Sequence, residues 1–357
     1  MQKIPTAHYP IFTGSQSLSA LPTLLKELNP SSVFILADSN TFQHCLPFFI
    51  SETAMVDYPV CVVEAGERNK NWLSVEKVLS FLLNSPADRS SVVINLGGGM
   101  ITDLGGFTAS VYMRGIRFIN IPTSLLGMVD ASIGGKTGID FHGLKNSVGT
   151  FSHPSAVILC PDFLKTLSEA ERRSGFAEMI KHGFIAGGSH WEEINSLASL
   201  EGIGMSETNL ISDSVLVKKK ITEADFKEQS IRKSLNFGHT LGHAFESYAL
   251  DEQIDLSHGE AVALGMLGEV FLCNKLASLP EGEAMQLTNL ILRHFKFDFE
   301  VPHIKELLRY LYADKKNEGG KIGFYLFEGI GKPSGMYFPS EEIIEKSMEY
   351  IFSSLKS

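Results

Sequence analysis

Short apolar runs dominate the first half of the chain. Residues 33–36, 60–63, 92–96, 118–121 and 156–159 are β-branched-rich stretches, each ending in a polar or glycine-rich turn. Amphipathic segments separate several of them, and that alternation predicts a parallel sheet covered by helices. After about residue 167 the pattern changes. Apolar positions now recur at helical spacing over residues 169–181, 210–224, 238–248, 260–276, 283–294 and 342–355, and the one late strand candidate is residues 322–326. The chain therefore reads as an α/β domain over residues 1–167 followed by a mostly α-helical domain over residues 168–357.

A chain of 357 residues with 44% hydrophobic and 20% charged residues can bury a sizeable core, which suits two domains. Its formal charge of −10 argues against nucleic-acid and anionic-membrane partners, since both want a basic surface. Any anionic ligand has to be met by cations concentrated locally. Cys45, Cys61, Cys160 and Cys273 lie far apart with no CxxC pair, which suits a reducing compartment and buried thiols. The N-terminal residues contain no apolar signal core, and the longest apolar stretch, residues 261–273, is interrupted by Glu269. A cytoplasmic location is expected.

The strand at 92–96 runs straight into Gly97-Gly98-Gly99-Met100-Ile101-Thr102-Asp103. Glycines between a buried strand and a helix let the backbone approach a diphosphate, whose charge the helix N-terminus favours. Thr102 stands where a GxGxxG fingerprint has its third glycine, so the same residues also fit a structural tight turn. Asp38, ending the first strand, and the Glu67-Arg68-Asn69-Lys70 turn offer acceptors for ribose hydroxyls. Downstream come Arg114, then Gly134-Gly135-Lys136 and Lys145-Asn146. Glycine pairs beside a single lysine let an ammonium and backbone N–H groups converge on an oxyanion, so this stretch reads as a phosphate site.

The helical half carries the strongest chemistry. In Leu235-Asn236-Phe237-Gly238-His239-Thr240-Leu241-Gly242-His243 the two histidines are four apart, so on a helix both imidazoles lie on one face. Glu178 and Lys181 share a face of another apolar helix, which fits an ordinary intrahelical ion pair. Glu178 together with one of these histidines and His258 also makes a Glu/His/His set, a common composition for catalytic Zn or Co with open positions. Spacing does not decide between His239 and His243. Arg232 and Asn236 are four apart, so a helix that started early would bring a guanidinium and an amide onto the same face.

The blocks GGGMITDLGGF, YMRG, PTSLL, VDASIGGKTG, KN, GFAEMIKHG, LNFGHTLGH, HGEAVALGM and DKKN, in this order, resemble the 3-dehydroquinate synthase family of sugar-phosphate cyclases from Asp38 to about Lys316. The resemblance implies an N-terminal nucleotide-binding α/β domain with a parallel sheet and a mostly α-helical metal-binding C-terminal domain. It also implies NAD, one divalent metal (Zn or Co) and a homodimer acting on a small sugar phosphate. By resemblance, Glu178, His239 and His258 hold the metal. Asp38, Glu67, Lys70, Gly98, Gly99, Asp103, Thr123, Ser124, Lys145 and Thr166 match the NAD positions. Arg114, Asp130, Lys136, Asn146, Lys181, Lys218, Arg232, Asn236 and His243 match substrate positions, with Lys316 or its neighbour Lys315 at the phosphate. Glu228 and His243 fall at proton-transfer positions, and with Lys136, Arg232 and Asn236 they make up the catalytic set.

The implied reaction converts 3-deoxy-D-arabino-heptulosonate 7-phosphate into 3-dehydroquinate and phosphate. Thr102, Ser124 and Ser174 depart from the family pattern, and all three touch the expected NAD pocket. Rival readings are a sister cyclase whose substrate lacks a carboxylate, a metal-dependent polyol dehydrogenase, and a nucleotide- or metal-sensing protein on the same fold. Arg232 and Lys218 favour a carboxylate-bearing substrate over the first, and the phosphate cluster disfavours the second.

Overall fold

The computed structural model describes residues 1–142, 144–204, 208–297, 302–313 and 321–356. The chain divides into two compact units, Met1–Ser168 with Ile203–Val215, and Glu169–Gly202 with Leu216–Ser357.

The first unit runs β1 (Gln2–Ile4), β2 (Ile11–Thr13), α1 (Leu21–Leu28), β3 (Val33–Asp38), α2 (Ser39–His44), α3 (Leu46–Thr53), β4 (Val60–Val63), α4 (Trp72–Asn84), β5 (Val92–Gly97), α5 (Gly99–Val111), β6 (Arg117–Pro122), β7 (Lys136–Phe141), β8 (Leu144–Phe151) and β9 (Ala156–Leu159). Seven strands form one sheet in the order β1-β2-β9-β6-β5-β3-β4, parallel except for the β1–β2 pair. β3, β5 and β9 are buried along their whole length, which is why they read as continuous apolar runs without alternation.

Within the five parallel strands β4-β3-β5-β6-β9 the chain order reverses between β3 and β5. In open α/β sheets a ligand sits outside the carboxyl ends of the strands at such a switch point. Register brings Asp38 and Gly97 to the same edge there, because Leu36 pairs with Asn95. β7 and β8 form a separate antiparallel hairpin, which the glycine-rich sequence did not suggest.

The second unit holds α6 (Glu169–Ala186), α7 (Gly188–Ser196), most of α8 (Thr208–Ala224), α9 (His239–Asp251), α10 (His258–Leu276), α11 (Glu281–His294), α12 (Ile304–Ala313), the hairpin β10 (Phe324–Gly329) with β11 (Lys332–Tyr337), and α13 (Glu341–Ser354). Phe184 of α6 stacks on Phe237, with ring centroids 4.9 Å apart, and both rings meet the Phe327 edge. This apolar cluster ties α6 to the chain entering α9. α10 opens on a capping box in which Ser257 and Glu260 exchange hydrogen bonds, so His258 is fixed at the first helical position. No helix among the described residues is long and apolar enough to cross a membrane.

Candidate functional site

At the switch point of the first unit, α5 begins at Gly99 directly after β5, and its N-cap, Gly98, has no side chain to cap it. Its leading N–H groups and the positive end of its dipole suit an anion. A Cβ at Gly98 would lie 3.1 Å from Ser124 Oγ, and one at Gly99 would lie 3.1 Å from the Ala131 methyl. Glycine at both positions therefore lets the turn pack closely against the residues after β6. Thr123 follows β6 and donates its N–H to Gly97 O at 3.0 Å, while Ser124 Oγ accepts from Gly127 N. Thr102, the departure from the fingerprint, back-bonds to Gly99 O at 3.0 Å and so closes the first turn of α5 from within.

Asp38 caps α2, its Oδ1 accepting from Thr41 N at 2.8 Å. Cys45, expected only as a buried thiol, lies between the hydroxyls of Thr123 and Thr166 and near Asp38; burial pushes its pKa up to about 11. Asp38, Gly98, Gly99, Thr123 and Ser124 thus lie at or just after strand ends that the sheet aligns at one edge, and Thr166 ends the 3₁₀ turn Pro161–Thr166 after β9.

A second cluster surrounds Lys70. Its buried ammonium pairs with Glu67 and lies 3.5 Å from Asp103 and 3.8 Å from Asp140. Burial opposes the charge, but the three carboxylates outweigh it and raise the Lys70 pKa above its ordinary value. Asp140, which no sequence signal singled out, also accepts Asn146 N–H at 2.7 Å, where Asn146 sits in a left-handed conformation at φ 46°. Lys136 is exposed at the base of the hairpin, paired with Phe151, whereas Lys145 and Asn146 lie near its turn, next to the Phe141–Leu144 pair. Five residues of strand, roughly 15 Å, separate the two positions along the ladder. Arg114 is exposed beyond α5 at φ 69°, and Asp130 is half-buried in a turn over Gly127–Ala131.

In the second unit, Glu178, His239 and His258 offer ligand atoms that all lie within 4.8 Å of one another. His239 Nε2 is 3.5 Å and His258 Nε2 is 3.8 Å from Glu178 Oε1, and Lys181 pairs with the other oxygen. Glu178 and Lys181 are buried. One carboxylate and two imidazoles form a donor set that fits Zn²⁺ or Co²⁺. His239 Nδ1 lies 3.3 Å from Phe237 O, which turns Nε2 toward the cluster. His243 falls outside this ligand set, its ring meeting the His239 ring edge-on at 5.4 Å between centroids. Glu246 and Glu178 raise the His258 pKa to about 9, against the effect of burial.

Glu269, the residue that breaks the apolar run of α10, is buried and accepts from Gly238 N at 2.8 Å and Thr240 N at 3.2 Å. It caps α9 at the residue pair flanking His239. Ser174 Oγ accepts from Gly259 N at 3.1 Å, which ties α6 to the start of α10 beside His258.

The helix does not start early. Ile231–Asn236 is a separate 3₁₀ turn, and Gly238, at φ 82°, breaks the path before α9. Arg232 and Asn236 therefore do not share a helical face with the histidines. Asn236 Nδ2 instead donates to Glu228 Oε1 at 2.6 Å, and Arg232 donates to Phe226 O at 2.6 Å. Lys218 and Arg232 are buried. Lys315 and Lys316 lie outside the described residues.

Asp225 organises this loop by accepting the N–H groups of Gln229, Ser230 and Arg232. Burial would raise its pKa, but these donors outweigh it and hold the carboxyl at about 2. The folded chain binds this proton more weakly than the unfolded one, so the loop's stabilisation is present above about pH 4 and is lost as pH falls toward 2. Asp225→Asn is therefore expected to destabilise the protein at pH 7 and to narrow its gap from wild type at pH 3. Urea midpoints at the two pH values check this; an equal gap at both would contradict it.

A glycine turn at the switch point of one unit and a Glu/His/His donor set in the other are the features expected of a two-unit α/β enzyme class that takes a nucleotide and a divalent metal. The sequence matches the models for the 3-dehydroquinate synthase N-terminal region over residues 60–174 and C-terminal region over residues 175–317. A 3-dehydroquinate synthase of Parabacteroides distasonis is 42% identical over 334 residues, covering 93% of this chain and 94% of that protein. The chain belongs to the 3-dehydroquinate synthase family. Among solved structures, a 2-deoxy-scyllo-inosose synthase complexed with carbaglucose-6-phosphate, NAD+ and Co2+ superposes with a TM-score of 0.86 at 20% identity, over 97% of this chain and 99% of that one. A 2-epi-5-epi-valiolone synthase from Streptomyces hygroscopicus with NAD+ and Zn2+ bound gives 0.81 at 25% identity over 99% of both chains.

Proposed function

We propose that this chain converts 3-deoxy-D-arabino-heptulosonate 7-phosphate into 3-dehydroquinate and phosphate as a carbon–oxygen lyase. It uses NAD and one Zn or Co ion, as a cytoplasmic homodimer with neither nucleic-acid nor membrane partners. The observation that carries the reading is the Glu178/His239/His258 cluster, with the carboxylate buried and the two imidazoles half-buried, in a chain 42% identical to a 3-dehydroquinate synthase over nearly its whole length. When bound, the dinucleotide takes up and returns a hydride and the metal polarises the hydroxyl being oxidised, so no net redox change results.

The roles of this chain's residues follow from their chemistry. The N–H groups at Gly98 and Gly99 receive the diphosphate. Asp38, with one oxygen engaged in capping α2, and Glu67, held by Lys70, accept ribose hydroxyls. Asp103, Thr123, Ser124, Lys145 and Thr166 complete the dinucleotide contacts. Glu178, His239 and His258 hold the metal.

Arg232 and Lys218 bind the substrate carboxylate, and the bond to Phe226 O fixes the direction of the guanidinium fork. Lys136 and Arg114 meet the phosphate and neutralise its charge as it leaves, with one of the Lys315–Lys316 pair expected there by resemblance, and Asn146 contacts the substrate apart from it. Asp130 and Lys181 complete the substrate contacts. Glu228 and His243 manage protons, with the Asn236 amide holding Glu228 Oε1. Oxidation of a ring hydroxyl acidifies the neighbouring C–H, and loss of that proton expels phosphate. After re-reduction, ring opening and an intramolecular aldol step close the carbocycle.

The test is an incubation with NAD⁺, Co²⁺ and the heptulosonate phosphate, following phosphate and NADH together. Phosphate release without accumulating NADH is expected; lasting NADH with a polyol and no phosphate release would identify a dehydrogenase instead. Arg232→Ala is expected to raise KM roughly 10- to 100-fold with a smaller change in kcat, because a charge-assisted bidentate contact is lost. An unchanged KM would remove the carboxylate role.

A further inference from the structure

We propose that Glu246 is a positioning residue of the metal centre: its buried carboxylate holds the Nδ1 side of His258 and thereby turns Nε2 into the cluster with Glu178 and His239. The proposal rests on the metal reading above and extends it to a residue outside the ligand set.

The two ring nitrogens of His258 face different carboxylates. Nε2 is 3.8 Å from Glu178 Oε1, inside the cluster, and Nδ1 is 3.5 Å from Glu246 Oε1, on the opposite side of the ring. Glu246 is only 8% exposed, so its charge is poorly screened and its attraction for an Nδ1–H is strong. A carboxylate there fixes the tautomer, keeps the Nε2 lone pair for a metal and raises the basicity of the ligand. Glu246 does not belong to the group whose ligand atoms lie within 4.8 Å of one another, so it serves the ligand and not the ion.

His239 is held in the same manner by a different acceptor. Its Nδ1 faces Phe237 O at 3.3 Å while its Nε2 faces Glu178. Both histidines therefore present the same nitrogen to the centre, each steered by an acceptor behind it. Glu246 also lies seven residues after His239 on α9, so one helix delivers both a ligand and the support for the other ligand.

The readout is metal affinity of the full chain, measured by Co²⁺ titration of metal-stripped protein through its d–d absorption and by Zn²⁺ calorimetry. Glu246→Gln, which keeps the shape and removes the charge, is expected to weaken both affinities about 10- to 100-fold. The metal-free variant is expected to melt below wild type, because a buried carboxylate–imidazole pair is lost, so affinities are compared at a temperature where both are folded. Glu246→Asp keeps the charge but withdraws it by one methylene, and an intermediate loss is expected; this variant stands in should the glutamine form fail to fold.

Wild-type affinity in folded Glu246→Gln, or in Glu246→Asp where the glutamine form does not fold, would overturn the proposal. Glu178→Gln and His239→Ala separate the two levels. If they lose metal while the Glu246 variants keep it, only the positioning role falls; if they bind metal as wild type does, the metal reading itself falls.

Discussion

Glu178→Gln is expected to lower turnover by about three orders of magnitude and to abolish stoichiometric metal binding, the largest single-residue effect in the protein. Glu178 is buried, and one of its oxygens faces Nε2 of both His239 and His258. The amide in its place lacks the charge that balances a divalent ion. A second effect accompanies this one. Lys181, also buried, pairs with the other oxygen, and losing that partner leaves an uncompensated ammonium in the interior, a cost of roughly 3–5 kcal/mol.

The two effects separate in a double variant. Glu178→Gln with Lys181→Met should regain much of the metal-free stability, because no unpaired charge remains, yet it should bind no metal and release no phosphate. Metal content by elemental analysis, together with melting of the metal-free forms, reads both. A folded Glu178→Gln that retains one metal per chain would show that the cluster is not the metal centre.

Gly265→Ala should cost about 3 kcal/mol and lower Tm by on the order of 10 °C. A Cβ at 265 on α10 would run into the Gly238 carbonyl oxygen and the Gly242 amide nitrogen of α9. Those two atoms are joined by the first helical hydrogen bond of α9, at 3.0 Å, directly around His239. Both are backbone, so no side-chain rotation relieves the clash, and the helices must move apart at the ligand. A weaker Co²⁺ affinity should therefore accompany the lower Tm. Gly282→Ala on α11 is the control, because a Cβ there meets open space and should be neutral or slightly stabilising. Equal stability of the two variants would refute the close-packing account.

The buried strands were legible because burial on both faces leaves one sequence solution, a short β-branched run. Residues 60–63 and 156–159 were expected as strands and form β4 and β9 with those bounds. Most helices after residue 167 were legible for the analogous reason, the expected stretch 260–276 becoming α10, His258–Leu276, whereas the shorter α7 and α12 were not expected. The β7–β8 hairpin was missed because Gly134, Gly135, Gly138 and Gly149 obscure its alternation, and the late strand was seen without its partner β11. The early helix start failed at Gly238, whose left-handed backbone is held by Glu269 from α10, an interaction no local pattern announces.

The same division runs through the sites. The sequence by itself determined which groups are present: a glycine turn after a buried strand, one acidic residue and several histidines on helices, and cations clustered in an acidic chain. It also put His239 and His243 on one face, since helical period is a local property. Only the tertiary structure decided that His239 and not His243 joins Glu178 and His258, because that depends on how α6, α9 and α10 pack. It likewise brought Asp38 to the edge shared by Gly98 and Thr123 through strand order, and assigned Glu246, Glu269 and Asp225 as the carboxylates that hold other residues in place. Such partners lie far away in sequence or across irregular turns, where no periodicity links them, and only the packed chain gives them a direction.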